Sequence, residues 1–313
     1  MLKVIECVPN FSEGRDLTLV RSLVEAIAGA GAEVLDWSAD PDHHRSVVTF
    51  IGDQATVEAS ALAAARFAVE HIDLRRHSGV HPRVGALDVL PFVPLDGARM
   101  EDAVASAHRV GRELAALGVP VFYYGMASTP PGRRLADLRK GGFEGMRHGF
   151  PAGMAADEPP DARAPHPTAG VTCVGARNVL LAWNVYVTGL DLGDARAIAA
   201  KIRERGGGFA GLRALGLQLP SQNRVQISMN LEDPNRTLPL DVFEAIEREA
   251  AQRGGRVVET EIIGMAPDTL VYPAAVNRLL LPDLGPARVL SRQVAQFVRE
   301  HTGGRTVIPD SAE

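Results

Sequence analysis

Two histidines and an arginine lie close together in a segment that cannot form a regular helix. Residues 77–88 read His-Ser-Gly-Val-His-Pro-Arg-Val-Gly-Ala-Leu-Asp. Gly79 is a poor helix residue, and Pro82 lacks an amide hydrogen and pushes the residue before it toward extended geometry. We therefore expect His81 to lie in a rigid extended segment, where an imidazole with a pKa of about 6.5 can exchange a proton near neutral pH. A general base needs that property.

The same spacing has two other interpretations. A His-x3-His pair binds a metal ion when both side chains share a helical face, but Gly79 and Pro82 argue against such a face. A histidine beside a proline also often does no more than complete a turn by hydrogen bonding. Catalysis is favoured here because three further polar clusters follow predicted strands, in loops of the kind that build binding sites.

The first of these clusters follows the opening strand. Residues 2–8 alternate well enough for a strand, and the segment 9–15, Pro-Asn-Phe-Ser-Glu-Gly-Arg, breaks it before an amphipathic helix. Ser12 or Asp16 is the expected cap of that helix. A second interpretation is that free amides at the helix start, together with Asn10 and Ser12, face an anionic ligand.

The second cluster, residues 38–46, reads Ser-Ala-Asp-Pro-Asp-His-His-Arg-Ser and lies between two strand-like runs. Asp-Pro initiates turns, so a plain hairpin loop is one interpretation. Two adjacent histidines and an arginine are less expected in such a loop. We expect Arg45 to pair bidentately with a carboxylate, and Asp40 or Asp42 to be a candidate for orienting an imidazole.

The third cluster, residues 161–170, reads Asp-Ala-Arg-Ala-Pro-His-Pro-Thr-Ala-Gly and continues a proline-rich stretch. Its composition makes it the best candidate in the chain for a linker between two halves. A binding role is the alternative, because Gly170 and Gly175 flank a short β-prone run, a pattern that lets backbone approach a ligand closely.

These segments, taken in order, resemble the formiminotransferase family. The resemblance covers essentially the whole chain and is carried by residues 6–14, 42–47, 77–88, 139–144 and 170–178. One position departs from the family, which usually has asparagine where this chain has His44. The resemblance implies transfer of the formimino group between N-formimino-L-glutamate and N5 of tetrahydrofolate in histidine degradation. Tetrahydrofolate is then a co-substrate, and no metal is expected.

The resemblance also implies the residues of the site. His81 matches the family's catalytic base, and residues 161–170 match the segment that lines the folate site. The expected substrate and folate contacts are Asn10, Ser12, Arg45, His77, Arg83, Arg139, Asp161, Arg163, Pro165, His166, Pro167, Thr168, Gly170, Thr172 and Arg177. The cations expected to bind the glutamate tail of folate are Arg83, Arg139, Lys140 and Arg177.

Three other functions stay open at this point. One is glutamate formyl transfer on the same scaffold, and a second is a non-enzymatic folate-binding module. The third is a metal hydrolase that uses His43, His77 and His81. The proposed base at His81 argues against a simple binding module, because binding alone needs no titratable group.

Strand and helix patterns divide the chain into two similar halves. Up to about residue 95 the predicted order is β-α-β-β-α-β, and the same order recurs over residues 178–264. A further helix at about residues 100–117 and a strand at residues 120–124 precede the linker. We expect an α+β fold of two ferredoxin-like subdomains, residues 1–168 and 169–313, whose sheets face each other across a ligand tunnel.

Composition restricts the classes of protein that fit. The chain has 313 residues, 46% of them hydrophobic, and a formal net charge of -5, so two domains of ordinary size can form. The basic residues are dispersed, so no nucleic-acid partner is indicated. No apolar run suits a membrane span, and two cysteines give neither a disulfide framework nor a zinc spacing, so we expect a cytoplasmic protein. The resemblance suggests a homodimer and a separate cyclodeaminase as partner.

Overall fold

The computed structural model describes residues 2–234, 236–267, 280–281 and 285–301, which form an α+β fold with two β-sheets. The first half of the chain contains β1 (Ile5–Cys7), β2 (Asn10–Phe11), α1 (Leu17–Gly29), β3 (Glu33–Asp40), β4 (Arg45–Gly52), α2 (Gln54–His71), β5 (Leu87–Pro94), α3 (Met100–Ala116), β6 (Val121–Gly125), α4 (Leu135–Leu138), α5 (Gly142–Met146) and β7 (Thr172–Ala176). The second half contains β8 (Leu181–Thr188), α6 (Leu192–Ile202), β9 (Leu212–Leu219), β10 (Arg224–Leu231), α7 (Pro239–Gln252), β11 (Arg256–Ile263) and α8 (Leu290–His301).

The larger sheet begins with β3 and β4 and ends with β7 and β6. Between them, the short strands β1 and β2 follow each other in a single strand position of the sheet. Both pair antiparallel with β4 on one side and with β5 on the other. β5, β7 and β6 are parallel neighbours. The opening strand expected over residues 2–8 is therefore shorter and is followed by a second piece, because Pro9 has no amide hydrogen for the ladder.

The smaller sheet has the strand order β11-β8-β10-β9, and all its pairs are antiparallel. In both halves the elements run β-α-β-β-α-β, and the first strand lies between the third and the fourth. The expected element order agrees with the structure, and so do the bounds expected for the helix at about residues 100–117 and the strand at residues 120–124, to within a few residues. This agreement arises because long stretches of period 2 and period 3.6 are the most informative signals in a sequence.

The proline-rich segment 161–170 is not the connection between the sheets. β7 follows it and pairs with β5 and β6, so this part of the chain still belongs to the larger sheet. The chain passes to the smaller sheet only between Ala176 and Leu181. The linker prediction was wrong because proline content indicates irregular backbone and does not reveal which sheet the next strand joins.

Each sheet buries an apolar face against its helices. In the first half, Leu23 and Ile27 of α1 pack in one core with Phe50 and Phe92 of the sheet. In the second half, Trp183 stacks on Phe243 of α7, with ring centroids 6.2 Å apart. Because successive residues of a strand point to opposite faces, the alternate positions of these strands form a second face in each sheet, and the polar residues of the site lie there.

Among the described helices, none combines the length and the apolar character that crossing a membrane requires. Cys7 and Cys173 are both buried free thiols.

Candidate active site

Asp88 is the centre of a buried charge cluster. It lies at the start of β5, directly after Leu87 of the helix-facing core. Its Oδ2 accepts hydrogen bonds from Arg45, at 2.7 Å, and from Arg139. Its Oδ1 accepts from the amide of Val84 at 2.8 Å. Burial on its own would raise the pKa of Asp88, but the two guanidinium groups outweigh burial and hold the pKa at about 2.

Arg45 is held in this cluster by protein acceptors. Its Nη1 donates to Asp88, while Nε and Nη2 donate to Asn10 Oδ1 at 3.1 and 2.7 Å. Burial lowers the pKa of Arg45 to about 10, and the charge of Asp88 opposes that shift. The expected pairing with a carboxylate is thus found inside the protein, through one nitrogen rather than bidentately. Arg45 and Asn10 therefore organise the cluster.

His81 lies in the loop between the 3-10 turn Leu74–Arg76 and β5, and its side chain is partly exposed. Its Nδ1 is 2.8 Å from the carbonyl oxygen of Pro82. A carbonyl oxygen only accepts, so this contact places the ring proton on Nδ1 and leaves the lone pair on Nε2. Surrounding protein, and then the positive charges of Arg45 and Arg139, lower the pKa of His81 well below its ordinary value. His81 is therefore neutral at pH 7 and has a basic nitrogen available.

His77 uses both ring nitrogens within the protein. Its Nε2 donates to the carbonyl oxygen of His44 at 2.7 Å, and its Nδ1 accepts from Arg83 Nε at 2.7 Å. The ring stacks on that of His44, with centroids 4.1 Å apart. Burial lowers the pKa of His77 to about 4. His77 therefore shapes the loop that carries His81, and its ring nitrogens are not free to act on a ligand.

The four cations expected to bind the folate tail differ in their surroundings. Arg139 donates to Asp88, and Arg83 donates to Glu144 through two nitrogens, at 2.8 and 2.6 Å. Lys140 is exposed. Arg177, just after β7, is partly exposed, and its Nη1 donates to the carbonyl oxygen of the next residue at 2.9 Å. Carboxylates of the protein thus engage Arg139 and Arg83, whereas the described hydrogen bond of the Arg177 guanidinium is to a backbone carbonyl.

The amides at the start of α1 are already occupied. Glu13 Oε1 accepts from the amides of residues 14, 15 and 16 at 2.9, 2.8 and 3.0 Å. Asp16 caps α1, and Ser12 is buried and donates instead to the carbonyl oxygen of Gly85 at 2.7 Å. The anion site expected at this helix start is therefore filled by the chain's own carboxylate, and Ser12 braces the loop before β5.

The segment 161–170 packs beside the loop that carries His81. The carbonyl oxygen of Thr168 accepts from the amide of Leu74 at 2.9 Å. Gly170 has φ 71°, and a Cβ there would lie 2.2 Å from the carbonyl oxygen of Val84. Only glycine permits this close approach without strain. The segment thus packs directly against the loop that carries His81.

The other expected folate contacts in and after this segment have mixed surroundings. His166 Nδ1 accepts from the amide of Ala169 at 3.0 Å, and Thr172 Oγ1 donates to the carbonyl oxygen of Leu87 at 2.8 Å. Three side chains are exposed to solvent: Asp161, Arg163 and Pro167. Three are partly exposed: Pro165, His166 and Thr168. His166 and Thr172 are therefore engaged in local structure. In the described part of the chain, the exposed residues form no hydrogen bond or ion pair with the cluster around Asp88.

The smaller sheet reaches the site through Gln226 of β10. This side chain is fully buried, and its Nε2 lies 2.8 Å from Nε2 of His43. The His43 ring lies 5.6 Å from the His81 ring, centroid to centroid. A second bridge joins the halves nearby, where Ser221 Oγ donates to Asp42 at 2.5 Å. Both halves therefore contribute to the surroundings of His81.

Three residues of this arrangement were missed by sequence reasoning: Asp88, His43 as a bridge, and Gln226. The sequence does offer a sign of the role of Asp88. It is a single acidic residue at the start of an apolar strand, and a buried carboxylate requires a charged or hydrogen-bonding partner. Gln226 lies in the alternating run Arg-Val-Gln-Ile-Ser-Met-Asn-Leu, but such a run predicts a solvent-facing side as readily as a site. Within the described ranges, no group of three or more His, Cys, Asp or Glu side chains is placed to hold a metal ion.

Comparison with known proteins shows the family of this chain. Residues 4–177 match the N-terminal subdomain of the formiminotransferase domain, and residues 182–278 match the formiminotransferase domain. A glutamate formimidoyltransferase of Streptococcus pyogenes serotype M1 is 39% identical over 291 residues, which cover 90% of this chain and 95% of that protein. A glutamate formimidoyltransferase of Thermoplasma acidophilum is 36% identical over 296 residues, covering 94% and 98%. The formimidoyltransferase-cyclodeaminase of Sus scrofa is 36% identical over 331 residues, covering 96% of this chain and 61% of its own. The chain belongs to the formiminotransferase family.

Proposed function

We propose that this protein is a glutamate formimidoyltransferase, which transfers the formimino group between N-formimino-L-glutamate and N5 of tetrahydrofolate in histidine degradation. The observation that carries the proposal is the neutral His81, whose Nε2 is free beside a cluster of buried charges. Likeness to two glutamate formimidoyltransferases over nearly their whole lengths supports it. The name of the Sus scrofa relative supports a cyclodeaminase as a functional partner.

The site lies, in this proposal, between two ferredoxin-like subdomains whose polar sheet faces enclose the substrates. The shared strand order of the two halves and the bridges from Gln226 and Ser221 support this arrangement. We place the boundary between residues 176 and 181 rather than at residue 168, because β7 pairs within the larger sheet. A crevice between two sheets suits a ligand that has a flat ring and a charged tail.

His81 is the group we assign to proton transfer. Its Nε2 takes the proton that N5 loses as N5 bonds to the formimino carbon. The same nitrogen returns that proton to the glutamate nitrogen as the bond between that nitrogen and the formimino carbon breaks. General-base help is typically worth about 10^2 to 10^4 in rate, or roughly 3 to 5 kcal/mol of barrier. Holding the two substrates in register supplies further acceleration.

The lowered pKa of His81 suits a site for anionic substrates. Burial, and then the charges of Arg45 and Arg139, disfavour the imidazolium form in the free protein. The carboxylates of a bound substrate offset those positive charges, so binding raises the basicity of Nε2. The imidazole is thus unprotonated before substrate arrives and becomes a stronger base afterward.

An assay with two donors tests the proposed function. Purified protein with tetrahydrofolate should turn over N-formimino-L-glutamate faster than N-formyl-L-glutamate, measured by the absorbance of the substituted folate product. Heat-denatured protein at the same concentration is the control. No transfer from either donor would refute the assignment, and faster transfer from the formyl donor would replace it by formyl transfer.

The partly exposed Arg177 gives a prediction about the folate tail. Arg177→Gln should weaken binding of folate with five glutamates more than binding of folate with one, by about two- to fivefold, as expected for an exposed charge pair worth roughly 0.5 to 1 kcal/mol. Added salt should shrink the difference because it screens exposed charges. Arg196→Gln, an exposed residue of α6, is the matched control. Equal weakening for long and short tails would show that Arg177 does not bind the tail.

A further inference from the structure

Gln226 has an unused acceptor in the interior of the protein. Its side chain is fully buried, and among the described residues its Oε1 has no hydrogen-bond partner. A buried amide oxygen without a partner costs roughly 1 to 3 kcal/mol in mutational data. Such a group in a native protein requires an explanation, and a catalytic role is one of the recognised ones.

The amide nitrogen of Gln226 is held by a contact with His43. Gln226 Nε2 lies 2.8 Å from His43 Nε2, and a hydrogen bond between them requires His43 to accept. Burial lowers the pKa of His43, with Asp40 opposing and Arg45 reinforcing the shift, so the ring is neutral and can accept. With the amide nitrogen turned to His43, the oxygen is the group left for a ligand.

The Gln226 side chain is connected to the proposed base through the ring of His43. His43 contacts Gln226 on one side, and its ring centroid is 5.6 Å from that of His81. One imidazole ring therefore separates the amide from the residue that we assign to proton transfer. A substrate whose reacting nitrogen reaches His81 has its neighbouring atoms in this part of the site.

The two possible donors differ in the group that would meet Gln226. The formimino group ends in a nitrogen that carries hydrogens and donates, whereas the formyl group ends in an oxygen that only accepts. An acceptor such as Gln226 Oε1 accepts a hydrogen bond from the formimino nitrogen, whereas it is repelled by the lone pairs of the formyl oxygen. Sites built to bond a substrate N–H discriminate strongly against an analogue that lacks it, because a buried polar group is then left unpaired.

We propose that Gln226 is a specificity residue, whose Oε1 accepts a hydrogen bond from the imino nitrogen and so selects the formimino donor over the formyl donor. This proposal rests on the proposed function. It gives the second half of the chain a direct part in substrate choice, since β10 belongs to the smaller sheet.

The test is the ratio of kcat/KM for N-formimino-L-glutamate to kcat/KM for N-formyl-L-glutamate. Gln226→Met keeps the length of the side chain and removes the acceptor. We expect kcat/KM for the formimino donor to fall about 10- to 100-fold, as for loss of a hydrogen bond to a charged group, and kcat/KM for the formyl donor to change less than about threefold. Asn230→Ala, an exposed amide residue of the same strand, should leave the ratio unchanged.

Gln226→Glu provides a second measurement, for use also if the methionine variant does not fold. It retains acceptor oxygens, so the preference for the formimino donor should persist. Equal losses for both donors in Gln226→Met, or loss of the preference in Gln226→Glu, would overturn the proposal while leaving the proposed function intact. A wild-type protein that transfers no formimino group would instead refute the proposed function.

Discussion

Asp88→Asn should lower the free energy of unfolding by about 3 to 5 kcal/mol, the range seen when one partner of a buried ion pair is removed. Asp88 is fully buried, and its carboxylate holds two guanidinium groups. Without that charge, Arg45 and Arg139 lie close together with no anion between them. Urea unfolding at pH 7 measures the loss through the transition midpoint.

A surface pair gives the control for this result. Asp137→Asn removes the carboxylate that pairs with Arg134 at 2.8 Å, where both side chains are about half exposed. Exposed pairs of this kind are worth about 0 to 1 kcal/mol. Similar losses for the two variants would contradict the central place given to Asp88.

The pH dependence of stability has a definite sign at Asp88. Its pKa is lowered to about 2 in the folded protein from an ordinary value of 3.8. The stabilisation is therefore complete above about pH 4 and is lost as the pH falls toward 2, where the folded carboxylate takes up a proton. The Asp88→Asn protein should lack this part of the acid transition.

His81→Ala should lower turnover by about two to four orders of magnitude, the range expected for loss of a general base, while folate binding survives. The expectation follows from the tautomer fixed by Pro82, which leaves Nε2 free. Steady-state kcat with N-formimino-L-glutamate measures the first effect, and fluorescence titration with folate measures the second.

His71→Ala is the control for the loss of an imidazole. His71 ends α2, is exposed, and bonds only to the carbonyl oxygen of Phe67 among its described hydrogen bonds, so its removal should leave turnover unchanged. Near-normal turnover in His81→Ala would remove His81 from the mechanism. If His77→Ala were the more damaging change, the roles of the two residues would have to be exchanged.

The fold could be predicted from the sequence where an element has a hydrophobic pattern that continues over many consecutive residues. The helix expected at about residues 100–117 extends over several turns, and its buried positions recur at helical spacing, so its periodicity was clear. The connection between the sheets could not be predicted, because the pairing of β7 with β5 joins residues far apart in the chain. No local pattern encodes such a partner.

The role of His81 stays a prediction, which the sequence offers because Pro82 and Gly79 restrict the backbone around it and because it matches the family's catalytic base. Contacts across the fold could not be predicted in the same way. The engagement of Arg83 and Arg139 by carboxylates of the protein could not be predicted from charge alone, since the sequence does not distinguish a buried arginine from an exposed one. Gln226 was missed for the same reason, because its sheet face is polar but turned inward.

The pH profile of kcat/KM tests the central claim, that His81 is neutral in the free protein and accepts the proton, most directly. The acid limb of that profile reports the pKa of the essential base in the free enzyme. Because burial and the arginines lower the pKa of His81, activity should fall only below about pH 6.5, the ordinary value for histidine. The residual activity of His81→Gln should lack that limb. A wild-type midpoint at or above pH 6.5, or the same limb in both proteins, would contradict the account.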